Sequence, residues 1–152
     1  MPPSALALLA ALIAAGPAAT PPAALDFRQV FVQTQAGPRI APAVEALRGK
    51  RVKLVGYMVE MEDAPLGAFY LARRPSFADE SGAGTGGLPP HAVRVELPHL
   101  AGQEVQFQAG PIEAVGRLEV GRAVDADGRV SWLRLVVDPP RPRSSAATPP
   151  PR

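Results

Sequence analysis

The sequence predicts an all-β domain, a small five-stranded barrel with one short helix before its first strand. Three observations predict this. Five apolar runs of strand length fall between residues 51 and 137, separated by connections rich in Gly, Pro and Asp. The first run is long, and its apolar phase slips at a glycine, as expected of a strand that bends to serve both halves of a small sheet. Hydrophobic residues are 47% of the chain but aromatics only 5%, so the core is aliphatic with few large anchors.

The elements follow in order. Ile40, Val44 and Leu47 stand at i, i+4 and i+7, with Pro42 in a first turn and Gly49 at the stop, which predicts a helix over 41–48. Residues 51–61 (RVKLVGYMVEM) form the first strand. Val52 and Leu54 share one parity, and Val55, Tyr57, Val59 and Met61 the other. The slip at Val55-Gly56 predicts a bulge or sharp coil. Strands over 68–73, 92–97 and 112–120 follow. In the third, Val93, Val95 and Leu97 point in and Arg94 and Glu96 point out. In the fourth, Ile112, Ala114, Gly116, Leu118 and Val120 share a face. The last strand is 131–137 (SWLRLVV), reached by a hairpin at Asp125-Ala126-Asp127-Gly128. Val105 and Phe107 mark one more short extended piece. The count, the long first strand and the preceding helix select the OB type, a Greek-key barrel, over an SH3-like barrel. An OB barrel carries its helix between strands three and four, whereas residues 98–111 hold two Gly and two Pro and leave room for a turn or two.

Outside this domain the composition changes. Residues 4–15 (SALALLAALIAA) are twelve apolar or small residues, too few to span a bilayer, and Gly16-Pro17 ends them. They read as the apolar region of a secretory signal peptide. The chain divides into a signal peptide and linker (1–24), a barrel domain (25–138) and a disordered Pro/Arg tail (139–152, PPRPRSSAATPPPR) with polyproline II character. The expected location is periplasmic or secreted, with no membrane span in the mature chain. The whole chain is net +2, but residues 25–138 hold 13 basic against 14 acidic groups. The basic excess belongs to the tail, so the domain has no electrostatic footprint for a polyanion.

The stretch LRGKRVKLVGYMVEME (47–62), followed by FYLARRP, resembles the opening of an exported bacterial family, domain-of-unknown-function family 3299. GPIEAVGRLEVG (110–121) resembles the penultimate strand of that family. The resemblance covers roughly residues 45–138. It implies an OB-like periplasmic protein and an association with ABC-type transport components. Many relatives carry a Cys-containing segment between the second and third strands. Residues 75–90 hold no Cys here, so a metal or redox role of that segment does not carry over.

Chemistry-bearing groups are few. With no Cys there is no disulfide, thiol nucleophile or zinc ribbon, and two His (His91 and His99) cannot make a three-imidazole site. The glycine-rich connection 75–91 is the candidate binding loop, with Phe77, Asp79, Glu80, Gly82, Gly84, Gly86 and His91 as its site residues. It lacks the Gly-Lys-Ser/Thr ending of a phosphate loop. Asp79, Glu80, His91 and His99 show no metal-ligand spacing. Glu60, Glu62 and Asp63 end the first strand and Arg73 and Arg74 the second, placed to pair across a hairpin as solvated salt bridges. No catalytic residue, cofactor or metal is expected. The expected function is a non-catalytic binding or scaffolding accessory of the bacterial envelope, with an envelope or transporter protein as partner. The alternative is an OB-type single-stranded nucleic-acid binder, for which aromatic platforms interleaved with cations are scarce.

Overall fold

The computed structural model describes residues 20–78 and 87–139. The apolar leader, the glycine-rich stretch 79–86 and the Pro/Arg tail from 140 lie outside the described residues.

The protein is predominantly β. In chain order its elements are β1 (Ala23–Leu25), β2 (Phe31–Thr34), β3 (Gly37–Ile40), α1 (Pro42–Glu45), β4 (Arg51–Met61), β5 (Ala68–Ala72), β6 (Ser76–Ala78), β7 (Val93–Glu96), β8 (Pro111–Val124) and β9 (Val130–Val137), with 3-10 turns at Phe27–Gln29 and Pro98–Leu100. The five predicted strands are present as β4, β5, β7, β8 and β9. The sheet is nevertheless not a clean five-stranded barrel. It is mixed and has seven strands, because β1 and β6 both pair in parallel with the long β4. β2 and β3 form a separate antiparallel ribbon that is not among the predicted strands. No strand forms around Val105 and Phe107.

The five long-range pairings run in a ring: β4 to β5, β5 to β7, β7 to β9, β9 to β8, and β8 back to β4. All are antiparallel except β7–β9. The β4–β5 seam is thin, with two paired positions, Tyr57–Ala72 and Met58–Leu71. Extending that register by two residues places Glu60 against Phe69. The path then crosses to Val95, Leu135 and Leu118 and returns to β4 at Lys50, where Leu118 N–H donates to the Lys50 carbonyl at 2.9 Å. From position 60 to position 50 the circuit slips ten residues. Two residues of slip per strand, at the usual rise and spacing, incline the strands by about 54°. So steep a tilt sets the two ends of a strand against different neighbours. This is why β4 needs 11 residues and β8 needs 14.

Two glycines sit where this geometry brings chains close. A Cβ on Gly116 would run into the Val136 carbonyl, at the point where β8 changes partner from β4 to β9. A Cβ on Gly56 would lie 2.6 Å from the Phe27 ring and 2.8 Å from the Ala72 carbonyl oxygen. Gly56 is thus a seat for Phe27 and not the bulge expected there. The inner parity runs unbroken through Val52, Leu54, Gly56 and Met58. The apolar slip comes at Val59, which faces a second, outer core with Tyr70, Ala72 and Ala78.

The inner core holds Leu54, Leu71, Val93, Val95, Leu118, Leu133 and Leu135, each essentially without solvent contact. Phe27, Val30 and Val44 join it from the N-terminal segment and α1. The helix is shorter than expected, Pro42–Glu45, and Gly49 ends the following turns at φ +74°. Residues 87–92 and β6 cover the outside of β5, so this strand is buried on both faces and reads as a continuous apolar run.

Gly116→Ala is expected to cost about 1–3 kcal/mol, because the obstacle is backbone that cannot rotate away. Val55→Thr, at a position 51% exposed, is expected to stay within about 0.5 kcal/mol. Urea unfolding of both variants measures this, and equal losses would contradict the seam.

Candidate functional site

The β2–β3 ribbon turns at Gly37, whose φ is +106° and whose carbonyl accepts from the Thr34 hydroxyl at 2.7 Å. The ribbon is separate from the seven-stranded sheet and borders a groove of about 860 Å³. Phe31, Val32, Pro38 and Ile40 line it from the ribbon, Pro42 and Glu45 from α1, Pro90 from the connection before β7 and Trp132 from β9. A second cavity of about 310 Å³ shares Phe31, Pro90 and Trp132 with the groove and lies over Tyr70, Ala92, Ser131 and Leu133. The walls are mainly apolar, as ligand sites are. Trp132 is 52% exposed and Val32 41%. In the alternation of β9, Leu133 and Leu135 are buried while Trp132 and Arg134 take the other parity.

Beneath the second cavity lies a buried polar network. Arg94 is 7% exposed, against its expected outward place in solvent, because the 125–129 hairpin lies against it and its guanidinium sits by the Tyr70 ring. Its Nη1 donates to the Tyr70 hydroxyl at 3.0 Å and lies 3.4 Å from Asp125 Oδ2 and 3.5 Å from Asp127 Oδ2. The guanidinium carbon sits 5.6 Å from the Tyr70 ring centre. Arg94 Nε makes no hydrogen bond, although Glu96 Oε1 is 3.4 Å away. The Ser131 hydroxyl donates to Asp125 Oδ1 at 3.2 Å, and Arg129 Nη1 donates to Asp127 Oδ2 at 2.9 Å.

Burial pushes the Tyr70 hydroxyl above its usual pKa, with the Arg94 hydrogen bond opposing. Burial also works against the Arg94 charge, but the Tyr70 hydroxyl and the Asp125 and Asp127 carboxylates outweigh it and hold the guanidinium above its usual value. At Asp127 burial is outweighed by side-chain and backbone bonds from Arg129 and by Arg94, and its carboxyl sits below the usual range. Arg94 therefore ties the turn at the tip of the β8–β9 hairpin to β7. The turn itself closes with Asp125 N–H donating to the Arg129 carbonyl and Gly128 N–H to the Asp125 carbonyl, both at 2.8 Å.

Of the residues singled out from sequence, the structure brings one to this place. His91 packs its ring on Phe31, centroids 5.1 Å apart, at the rim of the groove. Phe77 lies on β6, 59% exposed, and is not among the residues lining either cavity. Asp79, Glu80, Gly82, Gly84 and Gly86 lie outside the described residues. His99 lies in the turn Pro98–Leu100. Among the described residues no ion pair joins Glu60, Glu62 or Asp63 to Arg73 or Arg74. Sequence reasoning missed Phe31, Val32 and Trp132 as a wall and Arg94 as a buried group.

No protein-family model and no curated protein matches this chain. Among solved structures, the crystal structure of a DUF3299 family protein from Pseudomonas aeruginosa PAO1 is similar. It is 19% identical, with a TM-score of 0.48, over 78% of this chain and 93% of that one. Its family is the one that the sequence of this chain resembles.

Arg94→Met leaves the buried Asp125 carboxylate beside Tyr70 without its cation, while Asp127 keeps Arg129, and is expected to cost about 3–5 kcal/mol at neutral pH. The Asp127 carboxyl supplies the pH dependence. Its stabilisation is complete above the unfolded carboxylate value of about 3.9 and is lost as pH falls through its lower folded value. Urea midpoints from pH 7 to pH 2 are expected to fall less for Asp127→Asn than for the natural chain. Parallel curves would contradict that role.

Proposed function

We propose that this chain is an exported, non-catalytic binding domain of the bacterial envelope, built on an OB-type barrel, and that the groove beside Trp132 takes an extended apolar or proline-rich segment of an envelope or transporter protein. The observation that carries the reading is Trp132 itself, a large aromatic held half-exposed on a wall of apolar side chains outside both cores. Tyrosine and tryptophan in such places are the usual anchors of recognition. The groove is open, with Phe31, Pro38, Pro42 and Pro90 lining it along with the indole, and polyproline II segments dock on surfaces of this chemistry. The strand order, with its single parallel pairing between the third and fifth strands of the ring, supports the OB reading. Export rests on the leader at residues 4–15. Among the described lining residues Arg39 is the one cation and Glu45 offsets it, so the groove lacks the row of cations that a nucleic-acid backbone requires.

Trp132 is the sole tryptophan of the chain, so its emission reports on this groove alone. Titration with a synthetic proline-rich peptide is expected to shift and saturate that emission. Trp132→Ala is expected to weaken peptide binding, followed by calorimetry, at least about tenfold, a hot-spot loss. Its effect on stability should be small for a half-exposed side chain. A variant that binds as the natural chain does would sink the groove. Cell fractionation with N-terminal sequencing tests export, and a cytoplasmic chain that keeps Met1 would refute it.

A further inference from the structure

We propose that the groove has an occupant within this chain, the proline triplet Pro149, Pro150 and Pro151 of the C-terminal tail, folded back against Trp132. The proposal rests on the reading of the groove as a peptide-binding face. The tail provides the matching ligand chemistry. Six of its fourteen residues are Pro, in two groups, Pro139, Pro140 and Pro142, then Pro149 to Pro151. Three residues per turn and no internal hydrogen bonds let a polyproline II helix offer its rings as ridges to aromatic side chains at little entropic cost.

Chain length chooses between the two groups. The tail leaves the barrel at Asp138, whose carboxylate accepts from Arg51 Nε at 2.8 Å. Trp132 lies six residues back along β9, about 20 Å at the rise of a strand. Pro142 is four residues beyond Asp138, about 12 Å of polyproline II, and falls short of the indole. Pro149 is eleven residues beyond, about 34 Å, which allows the chain to turn and return. In the segment between them, RSSAAT, the five residues after Arg143 have small side chains that permit the reversal. A tether of this length gives an effective concentration on the order of millimolar, so even weak docking keeps the groove occupied for a large part of the time. A partner segment then competes with the tail, and its apparent affinity falls by the fraction of chains whose groove is free.

The experiment uses the full chain and two triple variants, Pro149→Ser/Pro150→Ser/Pro151→Ser and Pro139→Ser/Pro140→Ser/Pro142→Ser. Acrylamide quenching of Trp132 reads the exposure of the groove, and a synthetic peptide of sequence ATPPPR, the chain's own residues 147–152, is the binding probe. Loss of the distal triplet is expected to raise the quenching constant, and to tighten binding of the probe, by about twofold if the tethered tail holds about half the grooves. Loss of the proximal prolines is expected to change neither. Unchanged quenching in the distal variant, or equal effects of the two variants, overturns the proposal. If that variant keeps its quenching yet still binds the peptide, the groove stands as a peptide face and only the tail is dismissed. If no protein responds to the peptide, both readings fall together.

Discussion

Everything in this structure depends on closing a ring of five paired strands at a slip of ten residues. Closure at that slip forces a steep tilt, and steep tilt forces two strands to be long enough to change partners along their length. β4 gives Arg51 to Tyr57 to β8 and its next residues to β5 and β6. β8 gives Pro111 to Arg117 to β4 and continues against β9. The hand-over on β8 brings backbones to within the radius of a side chain, and Gly116 is the residue that allows it. The inner core is mainly aliphatic, with Phe69 and, against Gly56, Phe27 as its buried aromatics; Tyr70 lies in the outer core and Trp132 outside both.

The site follows from what covers the ring. Residues 87–92 fold over β5, and the 125–129 hairpin lies against β7, where it buries an arginine that alternation alone would leave in water. A buried guanidinium is tolerable only with carboxylates beside it. Asp125 and Asp127 reach it because the β8–β9 hairpin overhangs that face. The same hairpin leads into Ser131 and Trp132. The ion pairs thus fix the start of β9, and with it one wall of the groove. The ribbon fixes the other wall, with Phe31 touching both the inner core and His91 at the rim.

The five long strands of the sheet were legible because alternation survives in them. AVRVEL and GPIEAVGRLEV keep a strict inside parity, and the boundaries of β4 fall where its pattern starts and stops. What escaped was pairing on the second face. Val59 and Tyr70 look like a phase error in a one-core protein and are regular in a two-core one. Arg94 obeys the alternation in direction, yet its burial depends on a covering segment that no local pattern announces. The ribbon was missed because FVQT and GPRI are short and half polar, and Pro38 weakens a strand signal. Trp132 carried a readable sign, since it shares its parity with Arg134 and opposes Leu133 and Leu135. The groove it lines sets Trp132 opposite Phe31 and Val32, about 100 residues earlier in the chain, and lies beyond sequence spacing.

Native-state amide hydrogen exchange by NMR, combined with cross-strand nuclear Overhauser contacts, tests ring closure most directly. The account predicts contacts between Val52 and Gly116 on one seam and between Val95 and Leu135 on the other, with amides of both seams exchanging only through global unfolding. Contacts at one seam alone, or exchange of the β7–β9 amides through a separate, cheaper opening, would mean that the ring is an open sheet and would contradict the account.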